Sequence, residues 1–171
     1  DTIWVECTDQ KIPFGYPGTF TDDRQVLVIN DTGGKLVRTP RYDAGANRKV
    51  RKIEGSLDDA GNLTFNMNTG NTGAFFDDAF VLVRVDVERQ KKMTYSTFAF
   101  PGIMIDSFAY RLESGSLPAI RESLHGFAPR YGTLAADRML ISFSRLFETE
   151  PVPRKVTDRK SDVCIRRDLV R

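Results

Sequence analysis

A chain of 171 residues with 40% hydrophobic and 28% charged residues is long enough for one large domain with a sizeable core, and its net charge of +2 is modest. No run approaches the roughly 18 apolar residues of a membrane-spanning helix, and the first residues, among them Asp1 and Glu6, lack the basic and then apolar pattern of a signal peptide. Two cysteines, Cys7 and Cys164, are too few for a disulfide framework and show no C-x-x-C spacing.

The texture along the chain is strand, turn, strand. Residues 24–30 (RQVLVIN) and 35–42 (KLVRTPRY) are β-rich runs separated by Asp31-Thr32-Gly33-Gly34, a hairpin signal. Residues 47–57 and 62–68 flank Asp58-Asp59-Ala60-Gly61. In the second run Leu63, Phe65 and Met67 alternate with Thr64, Asn66 and Asn68, the period of a half-buried strand. Asn68-Thr69-Gly70-Asn71-Thr72-Gly73 then predicts another turn. Val81, Val83, Val85 and Val87 fall at a period of two, with Arg84, Asp86 and Glu88 opposite, and predict a strand, whereas residues 88–98, polar and free of Gly and Pro, predict a short helix. Residues 106–115 predict a strand with Phe108 and Tyr110 on one face.

Residues 116–132 (SLPAIRESLHGFAPRYG) fit two descriptions: a helix capped by Ser116 and ended by Gly126, or an irregular strand ending at Pro129. Residues 138–147 predict a strand, 151–155 (PVPRK) an extended linker, and 162–167 (DVCIRR) a resumed strand. From Pro151 onward seven basic residues face three acidic ones, a local charge of +4, but they alternate with Asp, Val and Ile and have no aromatic residues among them. That pattern fits a solvated strand or linker better than nucleic-acid binding. Many short strands, Gly- and Asn-rich turns and at most one or two short helices point to a mainly β, antiparallel β-sandwich.

Candidate chemistry is sparse. Cysteine catalysis needs a thiolate, a nearby His and an orienting group. The single histidine, His125, allows a Cys7–His125 dyad formally, although neither lies in a nucleophile motif. One His and two distant Cys do not assemble a zinc tetrad, and Asp58-Asp59-Ala60-Gly61-Asn62 lacks the alternating ligands and closing Glu of a calcium loop. No cofactor or metal is expected. Asn30-Asp31-Thr32 and Asn62-Leu63-Thr64 match the glycosylation sequon, but both coincide with turns. Asp22-Asp23 and Asp77-Asp78 are paired carboxylates of the kind that also form turns. Phe75, Phe76 and Phe80 could form a sugar-binding platform, but such clusters more often belong to the core.

The opening IWVECTDQKIPFGY resembles the closing strand of a transglutaminase-like cysteine peptidase domain, in which Cys, His and then an acid follow one another along the chain. Here Trp4-Val5-Glu6-Cys7-Thr8 occupies the acid's motif, so the resemblance puts Glu6 at the position of the triad acid and makes Cys7 an intervening residue. Glu in place of the usual Asp lengthens that side chain by one methylene. Pro13-Phe14-Gly15 and the stretches around Asp77-Asp78-Ala79-Phe80, Ile105-Asp106-Ser107-Phe108 and Arg138-Met139-Leu140 are similar to large exported bacterial proteins that carry this core between β-sandwich domains of unknown function.

The resemblance implies a division into residues 1–20 (closing strand of the core, and linker), 21–150 (β-sandwich accessory domain) and 151–171 (linker and first strand of a following domain). It favours a strand over residues 116–131. It also implies a periplasmic or cell-surface location and no catalytic triad within this chain, since Cys and His precede the acid in that family. The absence of an initiator Met agrees with an excerpt of a longer protein. The expected role is a non-catalytic structural or interaction domain whose partners are the rest of its own parent chain and a peptide or glycan. The alternatives are a carbohydrate-binding module or an independent cysteine-dependent hydrolase.

Overall fold

The computed structural model describes residues 2–142, 146–147 and 168–170, the last by their backbone. β1 (Gln25–Asn30) and β2 (Gly33–Arg38) form a hairpin turned by Asp31 and Thr32, and β3 (Arg48–Leu57) and β4 (Leu63–Thr72) form a second. α1 (Ala74–Phe80), a 3-10 turn (Val81–Val83) and α2 (Val87–Tyr95) follow. β5 (Met104–Glu113) and β6 (Ala119–Ala128) return to the sheet, β7 (Thr133–Ala135) and β8 (Arg138–Leu140) form a small ribbon, and β9 (Asp168–Val170) closes the series. The five-stranded sheet has the order β5-β6-β4-β3-β9, antiparallel except for β9 against β3. The protein is therefore mainly β, sandwich-like and antiparallel with two short helices, as the turn spacing implies. No described helix is long and apolar enough to cross a membrane.

Period-two alternation decides which face of the sheet is buried. In β4, Leu63, Phe65, Met67, Thr69 and Asn71 point inward while Thr64, Asn66 and Asn68 face water; in β6, Ile120, Glu122, Leu124, Gly126 and Ala128 are inward. Two apolar clusters lie on this inner face. One gathers Leu63, Phe65, Met67, Leu124 and Ala128 with Phe100, Tyr131 and Leu146. The other gathers Tyr16, Phe76, Ala79, Phe80 and Ile120. Phe65 pairs across the sheet with Gly55 on one side and Gly126 on the other. The missing side chains leave room for its ring, since a Cβ at 126 would come within 2.9 Å of the Met104 carbonyl and 3.0 Å of that ring.

Several expectations from pattern alone change. The polar stretch at 68–73 is not a turn: β4 continues through Thr72 because β3 and β6 pair with it on both sides, and central-strand context outweighs weak β-propensity. The chain breaks only at Gly73, at φ +57°. Residues 81–87 are not a strand. They have no neighbouring strand to pair with among the described residues, and Asp86 instead caps α2, its side chain accepting from the Arg89 N–H at 2.8 Å. Residues 116–132 resolve to the strand β6, with Gly126 inside it. The strand expected over 138–147 ends at Leu140. The linker at 151–155, the run at 162–167 and Cys164 lie outside the described residues.

Residues 2–20 contain no strand, and Tyr16 is wholly buried beside Phe76, so this segment packs on the α1 side of the same body. Residues 168–170 extend the central sheet beside β3.

Truncating Phe65 to Ala should cost about 3–5 kcal/mol, and Gly126→Ala about 1–3 kcal/mol, by cavity formation and overpacking respectively. Thr64→Ala, on the outer face, should change stability by less than about 0.5 kcal/mol. Urea unfolding monitored by circular dichroism measures all three.

Candidate functional site

A band of polar side chains separates the two apolar clusters. Arg51 of β3, Thr69 of β4, Glu122 of β6 and Tyr110 of β5 stand in register as one row across four strands. Lys49 and Asn71 begin the next row, which ends in Ile120 and Leu112. Thr69, Asn71 and Glu122 are only 2%, 5% and 7% exposed, an unusual composition for the inner face of a sheet.

The row is tied together from both ends. Arg51 Nε donates to Thr69 Oγ1 at 3.1 Å, and its guanidinium lies 4.1 Å over the Phe147 ring, which fixes its plane. The Tyr110 hydroxyl donates to Glu122 Oε1 at 3.1 Å and lies 2.7 Å from the hydroxyl of fully buried Thr94 on α2. Burial pushes the Tyr110 phenol well above its ordinary range, and the charge on Glu122 adds to the shift. Burial lowers the Arg51 pKa, opposed by the same Glu122. Among the described residues, no hydrogen bond satisfies the terminal nitrogens of Arg51 or the second carboxylate oxygen of Glu122, and the two side chains form no direct ion pair.

These groups open onto a cavity of about 260 Å³ between the sheet and the helices. That volume lies just below the usual range of small-ligand pockets, and the cleft is partly open to solvent. Its polar lining includes Lys49, Arg51, Asn71, Asp78, Tyr110 and Glu122, with Ser96 and Thr97 just past α2; Phe75, Ala79, Leu82 and Met93 give it an apolar part.

The sequence-derived candidates lie elsewhere. Glu6 turns back on its own segment, accepting from the Thr8 N–H at 2.7 Å and the Thr8 hydroxyl at 2.6 Å, bonds that lower its pKa. Cys7 is exposed, its Sγ 3.8 Å from the Val5 carbonyl oxygen. His125 faces outward from β6, with Nδ1 3.0 Å from Asp106 Oδ2 at the β5 bulge. Asp9 ties the Cys7 segment to Arg84, just beyond the 3-10 turn on the helical side, and no hydrogen bond joins Cys7 to His125 among the described residues.

The paired carboxylates divide their work. Asp23 pairs with Arg38 at 2.8 Å, and Asp22 is buried. Asp77 accepts from the Tyr16 hydroxyl at 3.0 Å, the Thr19 N–H at 2.9 Å and the Thr19 hydroxyl, whereas Asp78 faces the cavity. Burial and the charges of Asp22 and Asp77 push the Tyr42 phenol up to about 12. Asp58 closes the β3–β4 hairpin by accepting from the N–H groups of Ala60 and Asn62. Phe75, Phe76 and Phe80 are each 5% exposed or less and belong to the interior, not to a surface platform.

Arg51 and Glu122 are the residues that pattern reading missed. The signal was there: once 116–131 is read as a strand, period two places Glu122 on the same face as Ile120 and Leu124. Compared with known proteins, the chain matches no family model, no curated protein and no solved structure.

The tyrosines give this interior a pH signature. Tyr16, Tyr42 and Tyr110 all have phenols raised above the ordinary value of 10.0. A raised folded-state pKa contributes stability that is complete below pH 10 and is lost as pH rises through the folded value, which for Tyr42 is about 12. Stability should therefore fall steadily above pH 10. Tyrosinate absorbance in the native protein should show these three lagging, and full, simultaneous ionisation before unfolding would contradict the arrangement.

Proposed function

We propose that this chain is a non-catalytic support and binding module of a larger exported, transglutaminase-like protein, and that its cleft holds a small polar ligand derived from a polypeptide or glycan. The observation that carries the binding role is the cleft itself: charged side chains on the inner face of a sheet, with hydrogen-bonding capacity turned into a cavity. Burying a carboxylate such as that of Glu122 costs several kcal/mol unless it is well paired, and Arg51 beside it is half-buried. A fold selected for stability alone would place apolar residues in this row. Unusual polar interiors of this kind concentrate at functional sites.

The sequence resemblance of the opening segment supports the parentage, although residues 2–20 form no strand. The placements of Glu6, Cys7 and His125 support a role other than cysteine hydrolysis, since Cys7 is on the surface and His125 already faces Asp106. Within the binding reading, burial of Phe75 and Phe76 favours a polypeptide-derived ligand, because a glycan lacks the exposed rings on which sugars stack.

Titrating ¹⁵N-labelled protein with short peptides and with oligosaccharides tests this directly. Peptides should shift amide resonances of Arg51, Asn71, Tyr110 and Glu122, equally in wild type and Cys7→Ala. A hydrolytic activity abolished by alkylating Cys7 would establish the enzyme instead. Shifts confined to surface residues would rule the cleft out as the binding site.

A further inference from the structure

We infer that the cleft is a binding site for a free α-amino acid in its zwitterionic form, carboxylate against Arg51 and ammonium against Glu122. This deepens the binding role proposed above and rests on it. One buried and one half-buried ion set the requirement, Glu122 and Arg51. Arg51 spends its Nε on Thr69 and its ring face on Phe147, so its two terminal nitrogens remain to be directed at an acceptor in the cavity. Glu122, 7% exposed, takes the Tyr110 hydroxyl on Oε1, and its Oε2 remains to receive a donor there. Both are held in place by neighbours across the sheet, which leaves little orientational freedom to lose on binding.

Charge selects among ligands that could bridge them. A lone carboxylate would suit the guanidinium but bring a second anion to Glu122. A lone amine would suit Glu122 but bring a second cation to Arg51. A neutral amide would form the hydrogen bonds without the charge assistance that makes such bonds about twice as strong. A zwitterion matches both poles at once. Lys49 stands beside the cationic pole on β3, and Asp78 projects from α1.

Size and the opposite wall narrow the ligand further. A cavity of about 260 Å³ suits a single amino acid and is small for an oligosaccharide. Phe75, Ala79, Leu82 and Met93 would cover an aliphatic or thioether side chain.

Calorimetric titration of the whole chain with L-leucine, N-acetyl-L-leucine and L-leucinamide decides the point, alongside the peptide and sugar titrations above. L-leucine should bind at least about tenfold more tightly than either blocked form, each of which lacks one charge. Arg51→Met and Glu122→Gln should each weaken L-leucine by a similar factor. Because Glu122 is interior and Arg51 half-buried, their variants can fail to fold, and the three ligands on the unaltered protein are the decisive comparison. Equal binding of a blocked form, or binding of peptides or sugars alone, would overturn the zwitterion while leaving the binding module standing. No binding by any of them would overturn both.

Discussion

The ten-residue antiparallel register between β4 and β6 is the constraint on which the rest depends. It places Met67 opposite Leu124 and Phe65 opposite Gly126, which makes the apolar core, and Thr69 opposite Glu122, which makes the polar band. A slip of one residue would turn all of these side chains to the other face. Thr64, Asn66 and Asn68 would then be buried and the core lost. Core and cleft are therefore specified by a single pairing and cannot shift independently.

The polar band is tolerable because it is narrow and flanked. On one side the cluster around Phe65 and Met67, and on the other the cluster around Tyr16 and Phe76, bury large side chains worth about 1.5–3 kcal/mol each. Between them, Thr69, Tyr110 and Phe147 supply Arg51 and Glu122 with partial compensation, a hydrogen bond to each ion and an aromatic face for the guanidinium. Partial is the operative condition. Full pairing of the two ions would have made a closed internal salt bridge, whereas their separation across Thr69 leaves charge directed at the cavity.

Much of this fold was legible in the sequence, and the reasons are local. The hairpins at Asp31 and Asp58 carry their turn chemistry within a few residues, and the Leu63, Phe65, Met67 alternation is intact. Legibility failed where distant partners decide. The Asn- and Thr-rich end of β4 is a strand because β3 and β6 bracket it, and the valines at 81–87 are not one because no described strand lies alongside. The site was hidden for the same reason. Lys49 and Arg51 are two of several charges in the run 47–57, and Glu122 lies in a segment open to two secondary structures. Only strand order puts them on one face. The motif around Glu6 and Cys7 is an irregular surface stretch in which Glu6 bonds to Thr8.

α1 shows how the two halves of the interior are joined. It spans seven residues, so its side chains have no room for separate tasks on separate turns. Phe75 and Asp78 line the cleft, while Phe76, Asp77 and Phe80 hold the N-terminal segment. Tyr16 anchors that segment twice, by its ring against Phe76 and by its hydroxyl at Asp77 and the Gly73 carbonyl, the residue where β4 gives way to the helix. One wall of the cleft is thus held from behind by residues 16–19. The neighbouring aspartates, indistinguishable in sequence, do different work because successive residues on a helix are about 100° apart: Asp77 meets the segment behind the helix and Asp78 the cavity in front. The position of the cleft's wall depends on the N-terminal segment as much as on the sheet it faces.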